Sequence, residues 1–228
     1  MNTTDIGQYK TITRRNQWVF WIFSILLVLT VIAFFSDLLE ARLLQRAIAG
    51  ETIMEAEAVS NDTRQVIIGF LYLALALASA VVFLMWINRA YKNLSPLGAS
   101  NLRFTPGWAV GWFFVPIMSL FRPYQVVSEI WKASNPNANM ADSSSWRNLP
   151  TPPIVGVWWA LFLIANYIGQ FAFRMILTGK ELSDLLLSAY ATMAWEALDV
   201  VAGIPITILL VRGISQFQET KYRQLSYS

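Results

Sequence analysis

The 228-residue chain contains no cysteine and no histidine. That excludes disulfides, thiolate chemistry, haem ligation through either residue, and zinc sites built on them. It also removes every Ser-His and Cys-His nucleophile, and no glycine-rich phosphate loop is present. Charge is scarce too, at 14% of residues, against 56% hydrophobic residues and a mean hydropathy of +0.46. Such a balance belongs to a multi-pass membrane protein, and no polar stretch is long enough to fold alone as a soluble domain. An intramembrane aspartyl protease would need a second aspartate inside a span, and Asp199 stands alone there. No catalysis, no cofactor and no metal site are therefore expected.

What remains is apolar, and its runs predict an all-α integral membrane protein with four transmembrane helices in a single membrane domain. The spans are expected at about 18–35, 66–87, 154–173 and 190–211. Lys10, Arg14 and Arg15 precede the first run, as they would in a signal peptide. The run is longer than a signal core, however, and no small-x-small cleavage site follows it. Leu39, Leu43, Leu44, Ala47 and Ile48 carry a helical stripe beyond the first span, and Gly50 is expected to end it. Asn61, Asp62 and Thr63 offer N-caps for the next helix. Within that helix Ala74 and Ala78 form a small-xxx-small pair suited to close packing inside the chain. Asn135 to Pro153 reads as a loop, and Gly203 and Pro205 interrupt the last span.

The central stretch, Phe104 to Pro123, is apolar but not a span. From Gly107 to Phe121 a helix would rise roughly 22 Å, short of a hydrocarbon core of about 30 Å. Pro116 would break it midway. Residues 105–121 are expected to form a central re-entrant segment, followed by an amphipathic surface helix over 123–134. In that helix Val126, Val127, Ile130 and Trp131 share one side, and Pro123 suits its first turn.

Basic residues give the orientation. With four spans, 12 of the 17 Lys and Arg fall on the side holding both termini and the 88–153 loop. The positive-inside rule makes that side cytoplasmic. Trp18, Trp86, Trp158 and Trp159 fall at the same ends, where indoles prefer to sit. Nucleic-acid binding is not expected, because these charges form no separate basic domain.

The run WINRAYKNLSPLG (Trp86 to Gly98) and then FTPGWAVGWFFVPIMSLFRPYQVVSEIWKAS (Phe104 to Ser134) resembles the bacterial membrane family known as domain of unknown function 4328. The matching positions are Arg89, Pro106, Gly107, Trp108, Gly111, Trp112, Pro116, Arg122, Pro123, Glu129 and Trp131. VRGISQFQ, Val211 to Gln218, is similar to the end of that family's last span. The resemblance implies a multi-pass protein of the bacterial cytoplasmic (inner) membrane, with both termini cytoplasmic, and imports no activity. The chain lacks the Pro-rich or zinc-ribbon N-terminal extensions of some relatives.

Three features could carry function. Glu196 and Asp199, three apart in the last span, share a helical face with Thr192, Gly203 and Thr207. If the preceding turn is centred near Lys180, Asn166 falls beside Glu196, with Gln170 and Arg174 further out. That polar cluster is either a cation or proton site or a clasp between two helices. Arg89, Lys92, Arg103, Arg122 and Lys132 could hold an anionic headgroup or a phosphorylated ligand, or could reflect charge bias plus a pairing of Arg122 or Arg89 with Glu129. The glycines and tryptophans of the dip, Gly107, Trp108, Gly111 and Trp112, could line a groove or plug the bundle. The expected partner- and lipid-binding set is thus Arg89, Arg103, Trp108, Trp112, Arg122, Glu129 and Trp131. The function expected is a non-catalytic accessory or scaffold subunit in contact with membrane lipids and a larger membrane protein complex. The alternative is a small transporter or channel using Glu196 and Asp199.

Overall fold

The computed structural model describes residues 9–138 and 142–227. The first eight residues of the polar leader and residues 139–141 of the loop lie outside the described residues. All regular structure among the described residues is helical. The elements are α1 (Thr13–Ile48), α2 (Glu55–Lys92), α3 (Pro106–Gly111), α4 (Arg122–Ser134), α5 (Pro153–Thr178), α6 (Leu182–Leu198) and α7 (Ile204–Ser226). Short 3₁₀ turns stand at Met118–Leu120 and Ser145–Asn148, and a π-helical turn at Asp199–Gly203 joins α6 to α7.

Four of these helices are long and apolar enough to cross a membrane: α1, α2, α5 and the continuous α6–α7 of 45 residues. Only 11–28% of each apolar window is buried within the protein. Side chains such as Ile25, Phe70, Leu73 and Leu77 are therefore left facing outward, an arrangement stable in lipid and not in water. The architecture fits a multi-pass membrane protein.

The helices run past the hydrocarbon, and local chemistry sets their ends. α1 continues to Ile48 and stops at Gly50, whose φ of +83° is left-handed and suits glycine. α2 opens at Glu55, with Glu55 and Glu57 in a first turn that favours negative charge. Asn61, Asp62 and Thr63 are thus inside α2 and do not cap it, because the acidic turn before them already starts the helix. α6 starts with a capping box, in which the backbone of Glu181 donates to Asp184. Before it stands Gly179, where a Cβ would meet the Met175 carbonyl at 2.6 Å. Pro205 cannot donate a helical hydrogen bond, and the widened turn just ahead of it absorbs that loss.

The chain forms two compact units. Unit 1 comprises Met1–Trp21, Ala80–Trp159 and Ile206–Ser228, and unit 2 comprises Ile22–Ser79 and Ala160–Pro205. Unit 1 has a core of Trp86, Tyr91, Ile130, Leu210 and Ile214, all buried. It is cross-linked by polar side chains that find partners. Gln218 donates to the Ala90 carbonyl (2.8 Å) and Ser134 (3.0 Å), and accepts from Asn93 (3.0 Å). Trp86 donates to Ser215 and Trp158 to Thr207. In unit 2, Ser188 donates to the Ala172 carbonyl at 3.0 Å, so α5 and α6 pair residues equidistant from Lys180, as expected.

Two expectations need correction. The apolar stripe of α4 is not left for lipid: Val126, Val127 and Ile130 are fully buried, and Trp131 packs edge-on against Phe217 and over Gly213. Its amphipathicity serves protein packing. Ala74 and Ala78 are exposed on α2 and make no close packing within the chain. Residues 104–121 do not form one straight helix. Thr105 caps α3 by accepting from the Trp108 backbone, and the chain then turns through Ile117 into α4.

Candidate functional site

In unit 2, α1 supplies Asp37 and Glu40, α2 supplies Gln65 and Tyr72, and α6 supplies Thr192 and Trp195, around a cavity of about 380 Å³. Gln65 donates to Glu40 at 2.6 Å, and Tyr72 meets Trp195 edge-on at 5.5 Å. Glu196 follows Trp195 on α6 and is 4% exposed. Its Oε2 has no hydrogen-bond partner. Asp37 and Asp199 are the acidic neighbours whose charges act on it. Asp199 in turn bonds the Trp195 side chain. Gly203, four residues on, leaves room for the Asp199 carboxyl, since a Cβ there would lie 2.5 Å from its Oδ1. Arg64 brings a positive charge to the Asp37–Glu40 end, but donates to Ser36 and Asn61.

The expected partners of Glu196 are absent from this cluster. Asn166 and Gln170 face outward on α5, and Asn166 donates back to the Phe162 carbonyl of its own helix. The pairing level was right, but the side of α5 was wrong. An almost uniformly apolar helix carries little in its sequence to fix its rotation about its axis. Asp37, Glu40 and Tyr72 were missed, although a signal existed. Ser36 and Arg64, which bond at 3.0 Å, are equidistant from Gly50, so the rule used for the second hairpin would have found this end of the cluster.

In unit 1 Arg89 and Arg122 do not reach Glu129, whereas the charges of Arg103 and Arg147 act on it. Its Oε1 accepts from the Tyr91 hydroxyl (2.9 Å) and the Arg103 backbone N–H (2.7 Å). Burial pushes the Glu129 carboxyl above its ordinary range, opposed by those two donors. Arg122 instead donates to Gln125 at 3.0 Å and lies against the rings of Trp112, Phe104 and Phe121. Arg89 lies near Arg15 and has no part in holding Glu129. Arg122 and Arg89 fail to pair with Glu129 because its buried carboxylate is already held by neutral donors. Arg103, Lys132 and Arg147 line a second cavity of about 380 Å³ with Tyr124, Ser128, Thr151 and Glu129 itself. Gly111 does not admit another helix. Its missing Cβ lets the Trp108 ring fold back at 3.1 Å, so that Trp108 and Trp112 lie 4.7 Å apart.

Over residues 49–216 the sequence matches the family described as Domain of unknown function (DUF4328). The chain belongs to this family. The matched DUF4328 region takes in α2 to α6, the turn after Gly50 and most of α7, and so includes the Trp108–Trp131 motif and both Glu196 and Asp199. Asp37 and Glu40 precede it. No curated protein and no solved structure matches the DUF4328 chain.

Proposed function

We propose that this DUF4328 protein is a small transporter or channel that moves protons, with Glu196 as the exchanging group and Asp37 and Asp199 as its neighbours. The observation that carries this reading is the buried, unpartnered Oε2 of Glu196, acted on by the charges of Asp199 and of Asp37, which lines the cavity with Glu40. A carboxyl that merely clasped two helices would spend both oxygens on partners, because burying one unmatched costs about 1–3 kcal/mol. Clustered carboxyls in a medium of low dielectric cannot all be ionised, and sharing a proton relieves the repulsion. Carboxyl groups at membrane depth mark proton relays elsewhere for that reason.

The charge distribution supports an orientation. Unit 1 holds all 12 Lys and Arg assigned to the cytoplasmic side, whereas unit 2 holds five, with ten of the 14 Asp and Glu. By the positive-inside rule the termini and the 88–153 loop lie on the cytoplasmic side. The setting is a bacterial inner membrane with both termini inside, and the protein is not an enzyme.

The test is reconstitution into vesicles containing a trapped pH dye, with a potential imposed by potassium and valinomycin. Wild type should accelerate proton entry, and Glu196→Gln should bring it to the rate of empty vesicles. Asp37→Asn and Asp199→Asn should lower it, and Asn166→Ala should leave it unchanged. Wild-type flux equal to that of empty vesicles, or a folded Glu196→Gln protein conducting normally, overturns the reading. The second reading, an accessory subunit docking through residues 105–121 onto a larger complex, is favoured by the exposed Trp108, Phe114 and Ile117. A stoichiometric membrane partner recovered in gentle detergent would support it.

A further inference from the structure

The turn between α3 and α4 holds two donors with nothing to donate to. Arg122 Nε and Trp112 Nε1 are both buried and both lack a hydrogen-bond partner. They are neighbours, since the Arg122 guanidinium carbon lies 5.3 Å from the centre of the Trp112 ring. The guanidinium is fixed there by Phe104 at 5.7 Å, Phe121 at 5.8 Å and a bond to Gln125, so the vacancy at Nε is held in place. One unmatched buried donor is a local cost; two of the same polarity, one of them charged, require one acceptor of negative charge. Arg122 is also the first residue of α4, whose N-cap Phe121 contributes no side-chain cap.

The surroundings say what kind of acceptor. Trp108 is 52% exposed, Phe114 70% and Ile117 72%, so the donors are flanked by an apolar surface. Hydrocarbon tails alone offer no acceptor to the two donors. An amphiphile supplies both needs, with acyl chains over the apolar surface and a phosphate oxygen between the donors. Ile117 stands at φ +65°, a conformation that strains a β-branched residue, and so keeps its side chain on this surface at a backbone cost.

We propose that Arg122 Nε and Trp112 Nε1 bind the phosphodiester of a membrane phospholipid, whose chains lie on Trp108, Phe114 and Ile117. The site is independent of proton movement at Glu196.

The experiment is native mass spectrometry of the full chain in detergent. Phosphatidylglycerol, diacylglycerol with the same chains, and inorganic phosphate are titrated in turn. Phosphatidylglycerol should be retained, diacylglycerol should not, and inorganic phosphate should not displace the lipid. Trp112→Phe keeps the ring and removes its N–H, and Arg122→Lys keeps the charge and removes Nε. Each should weaken phosphatidylglycerol binding at least tenfold, while Arg147→Ala in the other basic cavity should not. Equal retention of diacylglycerol would mean apolar contact only. Displacement by inorganic phosphate would mean a free anion site, and a protein partner satisfying both donors in place of lipid would mean a docking surface. Any of these overturns the proposal, as does unchanged binding by both variants with wild-type near-ultraviolet circular dichroism. The comparison of phosphatidylglycerol with diacylglycerol decides on wild type alone, should either variant fail to fold.

Discussion

Lys221 in the last helix offers a measurement of what unit 1 gives up to hold a charge. The residue is 4% exposed, and its ammonium donates to the Ala133 carbonyl at 2.9 Å, with no carboxylate beside it among the described residues. Burial lowers its pKa from 10.5 to about 8. The unfolded chain therefore binds this proton more tightly than the folded one, and stability rises with pH through the window from about 8 to 10.5. Below that window both states are charged and the full cost is borne; above it both are neutral. A shift of this size corresponds to about 3 kcal/mol. Lys221→Met removes the titration but leaves the Ala133 carbonyl unmatched, at about 1–3 kcal/mol. The variant should therefore lie close to wild type or slightly above it at pH 7. The decisive quantity is the slope. Unfolding followed by tryptophan fluorescence in detergent should show wild type gaining stability from pH 7 to 10 relative to Lys221→Met. Parallel pH profiles for the two proteins would refute the reasoning.

The absence of cysteine makes single-cysteine labelling clean, and Ser144→Cys should react with impermeant thiol reagents in inverted vesicles only. Reaction in right-side-out spheroplasts would reverse the orientation. Glu129→Gln should fold with near wild-type stability, because an amide oxygen can still accept from Tyr91 and Arg103. Glu129→Leu should lose about 1 kcal/mol in thermal unfolding by removing the acceptor of the part-buried Arg103 N–H.

The spans, the Gly50 turn and the α5–α6 pairing were legible because hydropathy, a left-handed glycine and hairpin geometry act locally. The acidic cavity was half legible. Glu196 and Asp199 stand out inside an apolar run, whereas Asp37 sits two residues past the span boundary of a helix that simply continues, where an acid attracts no notice. The burial of Glu129 was hidden for a different reason. Its partners are a tyrosine hydroxyl and a backbone amide, and a search for opposite charges does not look for either. The length conflict in residues 105–121 was read correctly as forbidding a straight span. That α4 would turn its apolar side inward could not be read from its periodicity, which is the same for a helix on lipid and a helix on protein.

Ile117 carries one more implication. Backbone at φ +65° and ψ −50° suits glycine, so an isoleucine there leaves the protein below its attainable stability. Directed selection for heat resistance alone would tend to replace it, and selection for activity would tend to restore it. The two pressures separate at this residue, which makes a thermostability screen a way of locating the working surface without knowing its ligand.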